Sequence, residues 1–504
     1  MKYILKHLVL FLSLIFLPIS ISLPQDKNTI DEKSILAIID KFSNEDPYVN
    51  GEAITEIVKY GNTAVDLLIE SLKDSNDNVR WCSSIALGKI APENERAIPF
   101  LAQSLKDSNS NVRWCTAIAL GKYNQAAESA VPELQKLLYD TDDNVRWAAY
   151  VSLSKINKGS INLTPEFSEV INKIEKLTPQ LMKELNVPGV SIVLIRNYEI
   201  AFTKSFGVKD VRNSSQITNE TMFEACSMSK PVFAYVVLKL VEQNKLDLDK
   251  PLSSYLSEDF ISEDDEYSDK VTARMILSHT GGFPNWRKGE EEREGPLPIY
   301  FKPCERFSYS GEGYFYLQRV IEKITGNSLE ENAKEFLFQP SGLNHSSFIW
   351  TDGIDSLIAC GHDTSGKFLT KSKYLHPNSA YTLYITAEDF ARFIIEILKT
   401  NETYDNSSSK IFIDEMLTPQ IDVLVRDPIE RPGRALGLFV YWGLGWAIDS
   451  TASGKIYYHS GANRTGFRCY SQFRIDEGSG IVIMTNGLNG SELWTRLIKE
   501  IGDF

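Results

Sequence analysis

The stretch Ser227-Met-Ser-Lys230-Pro-Val-Phe-Ala-Tyr-Val-Val-Leu-Lys-Leu-Val241 decides how the larger part of this chain is interpreted. It joins a Ser-x-x-Lys tetrapeptide to an apolar helical run, and its proline is tolerated because the first N–H groups of a helix have no intrahelical partner. Residues three apart share one face of a helix, so the Lys230 amine can reach the Ser227 hydroxyl. Serine alone is a poor nucleophile, and an adjacent amine can take its proton. The stretch therefore predicts a nucleophile paired with a base.

Three further motifs follow this pair along the chain. Leu277-Ser-His-Thr-Gly-Gly-Phe283 is a glycine-bearing loop, and Phe307-Ser-Tyr309-Ser-Gly311 presents a tyrosine before a helix expected from Tyr316 to Ile324. His459-Ser460-Gly461 lies at the end of a predicted strand. Ser-x-x-Lys, a Tyr-x-Asn-like element and a Lys-Thr-Gly-like element, in this order, are typical of penicillin-binding proteins and serine β-lactamases.

Residues 165–504 resemble the class C β-lactamase-related serine hydrolases, a group that includes D,D-peptidases, D-aminopeptidases and carboxylesterases. The segments Leu240–Pro251 and Tyr441-Trp-Gly-Leu-Gly-Trp446 strengthen the resemblance. It implies that Ser227 attacks a carbonyl to form an acyl-enzyme, and that Lys230 accepts its proton or keeps a neighbouring base deprotonated. It also implies that Tyr309 acts as a base, with His459 on the strand that lines the site. The backbone N–H groups of Ser227 and Ala462 would form the oxyanion hole. The expected substrate contacts are Gly311, Ser460 and Gly461.

Two positions depart from the family pattern. The Tyr-x-Asn element ends in Gly311, so the side-chain amide that contacts the substrate is missing. The Lys-Thr-Gly element begins with His459, so a fixed cation for a substrate carboxylate is replaced by a group that can be neutral. We therefore expect hydrolysis of an ester or of a small amide or peptide rather than of a β-lactam.

The remaining histidines and cysteines suggest no second chemistry. His279 is expected to be structural, with a catalytic role as the alternative, and Cys226 is expected to be a small buried apolar residue. The six cysteines form no CxxC pair and the six histidines no His-Glu-x-x-His, so neither a metal nor another cofactor is expected. A disulfide is compatible with export but not required.

Strand-like segments occur at both ends of residues 166–504, which we interpret as the hydrolase domain. A helix over Phe167–Leu185 and strands over Gly189–Arg196 and 199–202 come first. Strands over 455–458, 466–473 and 481–484 come last, and the short link between the final two implies antiparallel pairing. One antiparallel sheet flanked by helices, with a helical subdomain inserted between the strand groups, makes this an α+β domain.

An internal repeat fills residues 30–158. Asn-Val-Arg-Trp occurs at Asn78–Trp81, Asn111–Trp114 and Asn144–Trp147, with a period of 33 residues. Each unit contains two apolar helical stretches separated by a polar turn, and such pairs bury their faces only by stacking on one another. The pattern resembles short HEAT repeats and predicts an all-α solenoid, opened by a degenerate unit at about residues 31–61. Residues 159–165 would be a linker to the hydrolase domain.

Two sets of repeated side chains have expected roles. Asp74, Asp107 and Asp140 are expected to form a charge ladder with Arg80, Arg113 and Arg146. Trp81, Trp114 and Trp147 fall on one face, where packing between helices is the first interpretation and binding of a partner the second. That partner would be a protein or the cell wall.

The chain begins with a cationic segment followed by an apolar run, and small residues stand near position 22. Residues 1–22 are therefore interpreted as a signal peptide, which predicts export to the periplasm or the cell exterior and no membrane span in the mature chain. The formal net charge of −14 argues against a nucleic-acid partner.

Three functions remain open from the sequence. The first is an exported serine hydrolase for a small ester or peptide substrate, with the solenoid used for docking. The second is a penicillin-binding D,D-peptidase or β-lactamase. The third is a non-catalytic protein that binds a partner through the HEAT repeats. Such a protein would have no need of an activated nucleophile.

Overall fold

The structure is a computed structural model, and it describes residues 28–44, 47–91, 94–138, 140, 142–156, 167–256, 260–261, 265–288, 295–402, 408–423, 440–451 and 454–502. The predicted signal peptide (1–22) and linker (159–165) lie outside these residues. Within the described part of the chain, no helix combines the length and the apolar composition that a membrane span requires.

The N-terminal part is a stack of helical pairs, as the repeat predicts. A degenerate first pair precedes three regular pairs, each a short helix followed by a longer one. The helices are α1 (Asn28–Lys41), α2 (Pro47–Val58), α3 (Val65–Ser71), α4 (Asp77–Ile90), α5 (Ile98–Ser104), α6 (Ser110–Lys122), α7 (Val131–Leu137) and α8 (Asp143–Ile156). One buried apolar cluster runs through all of these pairs. Because each pair covers its neighbour, the stack is stable only as a whole.

Charged side chains of the repeat link each pair of helices to the next pair. The Arg80 guanidinium binds Asp107 of the next repeat at 2.7 Å, and Arg113 binds Asp140 at 2.8 Å. These pairs are mostly shielded from water, and both are bidentate. The ladder therefore links each arginine to the aspartate of the following repeat; the Arg146 side chain lies outside the described residues.

The repeated tryptophans are half-buried against the solenoid core. Trp81 and Trp114 pack on the apolar cluster, and the Trp81 indole N–H donates to the Asn78 side chain at 2.9 Å. This arrangement fits the packing interpretation, because each ring already has apolar neighbours. The Trp147 side chain lies outside the described residues, and binding of a partner on this face stays a prediction.

The hydrolase domain is built on one nine-stranded antiparallel sheet in the order β3-β2-β1-β14-β13-β12-β11-β10-β9. The first and last strand groups meet where β1 pairs with β14, which confirms the predicted joining of the two chain ends. The strands of the sheet are β1 (Gly189–Arg196), β2 (Glu199–Asp210), β3 (Ser215–Gln216), β9 (Ile421–Val423), β10 (Val440–Trp442), β11 (Ala447–Thr451), β12 (Gly454–Ala462), β13 (Arg468–Arg474) and β14 (Ser479–Thr485). Five short strands form two small sheets elsewhere: β4 (Phe223–Glu224), β5 (Ser346–Ser347), β6 (Gly361–His362), β7 (Phe368–Thr370) and β8 (Tyr384–Ile385).

Helices cover both faces of the sheet. They are α9 (Phe167–Leu185), α10 (Ser229–Glu242), α11 (Ala273–Leu277), α12 (Gly311–Thr325), α13 (Leu329–Ala333), α14 (Asp352–Asp355), α15 (Ala387–Glu402), α16 (Ser408–Leu417) and α17 (Gly490–Ile501). Alternate residues of β1 point to opposite sides, so Ile192 packs with α9 and α17 while Val193 joins the cluster that contains α10 and α15. The domain is therefore an α+β sandwich, and the larger cluster holds the nucleophile helix α10.

The solenoid contacts the sheet through Lys89, one of three lysines that recur once per repeat. Lys89, Lys122 and Lys155 end helices α4, α6 and α8. Lys89 forms an ion pair with Asp422 of edge strand β9. Burial lowers the pKa of Lys122 to about 7; Lys155 and Lys89 lower it further, while Asp449 and Asp422 oppose the shift. The repeat thus supplies both the packing of the solenoid and its contact with the catalytic domain.

Replacing Lys122 by methionine should stabilise the protein at pH 7, because the folded state no longer has to bury an amine. Between about pH 7 and 10.5 the unfolded wild-type chain binds a proton that the folded chain lacks, so its free energy of unfolding rises with pH. We expect Lys122→Met to raise the free energy of unfolding by about 2 kcal/mol at pH 7 and to flatten this slope.

Chemical denaturation at pH 7, 8, 9 and 10 measures both effects. Lys106→Met, which removes a lysine that is 64% exposed, is the matched control and should leave the slope in place. Equal slopes in wild type and Lys122→Met would contradict the burial of this amine.

Candidate active site

Ser227 lies at a sharp bend of the chain. It is the middle residue of a 3-10 turn, Cys226–Met228, that leads directly into α10. Cys226 has φ 54°, a left-handed conformation that is costly for a residue with a side chain. Cys226 is fully buried, whereas Ser227 is half-buried. The bend therefore leaves the serine as the accessible point of an otherwise buried segment.

Lys230 reaches the serine as the spacing predicts. The lysine is fully buried, and its Nζ lies 3.5 Å from Ser227 Oγ and donates to the backbone oxygen of Ala380 at 3.0 Å. The amine also lies 4.6 Å from the ring centre of Tyr309. A long serine–lysine contact is common in sites without substrate, where hydrogen bonds tighten only on binding. The Lys230 amine therefore lies next to both Ser227 and Tyr309, as predicted catalytic residues should.

Tyr309 stands closer to a helix than the sequence suggested. The expected start at Tyr316 was wrong, since α12 already begins at Gly311. The cause is Ser310, whose hydroxyl accepts the Gly313 backbone N–H at 2.8 Å and so caps the helix. Tyr309 is therefore fixed immediately before a rigid helix N-terminus rather than on a long loop.

His279 supports the tyrosine rather than facing Ser227. Its ring is fully buried and stacks at 4.3 Å from the Tyr309 ring, and its Nδ1 accepts the Ser310 backbone N–H at 3.0 Å. Burial lowers its pKa well below the ordinary value, and the nearby Lys230 charge adds to this. The imidazole is consequently neutral with its proton on Nε2. These contacts favour the structural interpretation of His279.

His459 is a neutral acceptor in the site. It is fully buried on β12, and its Nδ1 lies 2.7 Å from the backbone oxygen of Ser460, which requires the proton to be on Nδ1. Burial, followed by the Lys230 charge, lowers its pKa to about 3. Its Nε2 has no hydrogen-bond partner among the described residues. The position that carries a fixed cation in the family pattern is thus an uncharged ring with a free lone pair.

The end of β12 passes directly against the nucleophile segment. A Cβ on Gly461 would lie 2.1 Å from the Ala225 backbone oxygen, so only glycine permits this approach. Ser460 precedes this contact, and Ala462 follows it as the last, exposed residue of the strand. The predicted oxyanion donors Ser227 and Ala462 are therefore brought to neighbouring backbone segments.

Glu224 ties these two segments together, a role that no sequence motif indicated. Its Oε2 accepts hydrogen bonds from Thr465 Oγ1 at 2.7 Å, Tyr374 OH at 2.8 Å and Asn463 Nδ2 at 3.3 Å. Glu224 lies three residues before Ser227, and Asn463 follows Ala462 directly. Burial raises the pKa of this carboxyl, while the three donors oppose the shift. The side chain fixes the turn after β12 relative to the serine.

Two tryptophans complete the surroundings. Trp442 of β10 packs against Tyr309, His279 and His459, with ring centres 5.8, 5.1 and 5.6 Å away. Trp286 occupies the space where a side chain at position 311 would project, since a Cβ on Gly311 would lie 2.5 Å from its indole. The missing Asn of the family pattern is therefore replaced in space by an indole ring.

The solenoid and the sheet domain of this chain each match a known protein family. Residues 174–502 match the family described as Beta-lactamase, and residues 35–121 and 98–170 match HEAT repeats. Penicillin-binding protein 4 of Amycolatopsis lactamdurans is 26% identical over 343 residues, which cover 64% of this chain and 86% of that protein. Protein flp of Staphylococcus aureus strain N315 is 23% identical over 214 residues, which cover 40% of this chain and only 43% of that protein.

The fold of this chain is similar to that of solved penicillin-binding-protein-like structures. The octameric penicillin-binding protein homologue from Pyrococcus abyssi superposes with a TM-score of 0.55 and 24% identity, covering 65% of this chain and 76% of that chain. The predicted fold class, a HEAT-like solenoid followed by a β-lactamase-like α+β domain, is confirmed.

His459 should stay neutral across the physiological pH range, because burial opposes its protonation. In NMR spectra of protein with 15N-labelled histidine rings, the chemical shifts of the His459 ring nitrogens should stay constant from pH 8 to pH 5. Protonation is expected only near pH 3. The His459→Gln variant assigns the signals, because it removes the resonances of that ring. A His459 titration between pH 6 and 7 would contradict the neutral acceptor.

Proposed function

Because the chain belongs to the Beta-lactamase family of penicillin-binding-protein-like serine hydrolases, we propose that it cleaves an ester or a small amide or peptide through an acyl-enzyme. The observation that carries this proposal is the buried Lys230 amine 3.5 Å from the accessible Ser227 hydroxyl. A protein that only binds a ligand has no use for this costly arrangement.

The reaction follows from the positions of these groups. Ser227 Oγ attacks the substrate carbonyl while its proton passes to Tyr309, held as the phenolate by the Lys230 ammonium beside it, or to Lys230 itself when that amine is neutral. The negative charge that develops on the carbonyl oxygen is stabilised by the backbone N–H groups of Ser227 and Ala462. The tetrahedral intermediate then expels the alcohol or amine, which takes up the transferred proton. Water, deprotonated by the same base, attacks the acyl-enzyme and releases the acid and Ser227.

The surroundings of the serine favour a small ester or amide over a peptide with a free carboxylate. His459 is neutral, so it supplies no fixed positive charge for such a group. Position 311 has no amide side chain, and the Trp286 ring fills its place. Both features disfavour a β-lactam, which in the family pattern uses that cation and that amide.

The second candidate is a penicillin-binding D,D-peptidase. The name of the Amycolatopsis relative supports it, and the Ser227–Lys230–Tyr309 group is compatible with it. The missing cation at position 459 counts against it. Binding by the solenoid without catalysis is a third candidate, and the buried amine at Ser227 counts against that one.

We also propose that the protein is exported and that the solenoid docks a protein or the cell wall. The sequence of residues 1–22 supports export to the periplasm or the cell exterior. N-terminal sequencing of the mature protein tests this, because an intact Met1 would contradict cleavage. The ion pair between Lys89 and Asp422 connects the solenoid to the sheet, so a docked partner would lie on a part of the chain that contacts the domain of the site.

A labelling experiment tests the acyl-enzyme directly. Purified protein is exposed to a fluorophosphonate probe and to a fluorescent penicillin, and hydrolysis of p-nitrophenyl esters and D-amino-acid amides is then measured. We expect fluorophosphonate labelling and ester hydrolysis in the wild type. Ser227→Ala should abolish both, and Lys230→Ala should lower ester turnover by about a thousandfold because the nucleophile loses its base.

Ser108→Ala removes an exposed serine of the solenoid and should change neither signal. Labelling by penicillin alone would favour the D,D-peptidase. No Ser227-dependent labelling by either probe would refute catalysis and leave binding by the solenoid.

A further inference from the structure

Trp286 is an exposed aromatic residue held against Gly311, two residues after Tyr309. Its side chain is 43% exposed although it covers Gly311. The loop that carries it is bonded to the start of α12, because Gly311 N–H donates to the Asn285 side chain at 3.1 Å and Ser310 Oγ donates to the Pro284 backbone oxygen at 2.7 Å. The ring is therefore positioned by its neighbours before any ligand arrives.

Tyr381 extends this aromatic surface on the chain segment that contacts Lys230. Its ring meets Trp286 edge to face at 5.6 Å, and the ring of Tyr374 lies 5.5 Å beyond it. Tyr381 follows Ala380, whose backbone oxygen accepts from Lys230. Two residues later, the Leu383 backbone oxygen accepts the Ala225 N–H at 2.8 Å. Tyr381 therefore stands on a segment that runs along the nucleophile turn.

The charged groups next to Trp286 compensate one another. Arg287, adjacent to Trp286, forms an ion pair with Glu312 at 3.3 Å, and the Arg287 backbone N–H donates to the same carboxylate at 3.1 Å. A neutral planar group therefore fits the surface better than an ion. Aromatic rings recognise such a group by edge-to-face or offset stacking.

We propose that Trp286 and Tyr381 form an aromatic subsite that binds a flat apolar substituent of the ester or amide that Ser227 cleaves. The proposal rests on the proposed function and names the substrate class within it. The preferred substrate carries an aromatic group next to its scissile bond, on the acyl or the alcohol side. Position 311 must then be glycine, because any side chain there would push the indole out of place.

The test compares three esters with wild-type protein: ethyl acetate, ethyl phenylacetate and benzyl acetate, followed by acid release at constant pH. We expect kcat/KM to be roughly tenfold higher for at least one phenyl-bearing ester than for ethyl acetate, the size expected of one stacked ring. Trp286→Ala should remove most of this preference, because it should lower kcat/KM more for the phenyl-bearing ester than for ethyl acetate, and Trp286→Phe should retain part of the preference. Phe100→Ala, which removes a ring of comparable exposure from the solenoid, is the control and should retain all of it.

Equal losses for all three esters in Trp286→Ala, or no loss at all, would overturn the aromatic subsite. A direct measurement separates this outcome from failure of the proposed function. The indole N–H signal of Trp286 is followed by NMR in Ser227→Ala protein, with ethyl phenylacetate, benzyl acetate and ethyl acetate as ligands. A shift with a phenyl-bearing ester alone supports the subsite even if no ester is hydrolysed, and no selective shift refutes it.

Discussion

The burial of one amine beside one hydroxyl is the constraint on which the catalytic domain depends. Lys230 has no exposed surface, and its Nζ contacts Ser227 Oγ and the Ala380 oxygen while two aromatic rings lie within 6 Å. Removing an amine from water is expensive unless polar groups surround it. The helix spacing of Ser227 and Lys230, the segment at Ala380 and the placement of Tyr309 each supply part of that surrounding. The fold around the serine therefore also provides the environment that the proposed reaction requires.

Several close backbone approaches hold this environment in place. Gly461 lets β12 pass the Ala225 oxygen, and the strained φ of Cys226 turns the chain into α10. Glu224 then binds the turn after Ala462, so the two predicted oxyanion donors are fixed by one buried carboxyl. In the proposed reaction these groups act by positioning, because a misplaced donor loses much of its stabilising effect.

The solenoid contacts this domain through a lysine that belongs to the repeated sequence pattern. Lysines recur at the ends of α4, α6 and α8, and the first of them, Lys89, forms an ion pair with Asp422 at the edge of the sheet. The edge strand β9 pairs with β10, and Trp442 of β10 contacts the rings of Tyr309 and His459. A physical connection therefore runs from the repeats to the site through two paired strands and one tryptophan.

The sequence by itself determined the elements with local signals. The 33-residue period predicted the helical pairs, and the short link between the last two strands predicted the antiparallel pairing of β13 with β14. The motifs predicted the site residues Ser227, Lys230, Tyr309 and His459. Only the tertiary structure decided that His459 is a neutral acceptor, that His279 supports Tyr309, that Glu224 binds the turn after β12 and that Trp286 fills the place of a side chain at position 311. The physical reason is that burial and contacts between residues far apart in the chain have no local pattern, whereas helix spacing and strand alternation do.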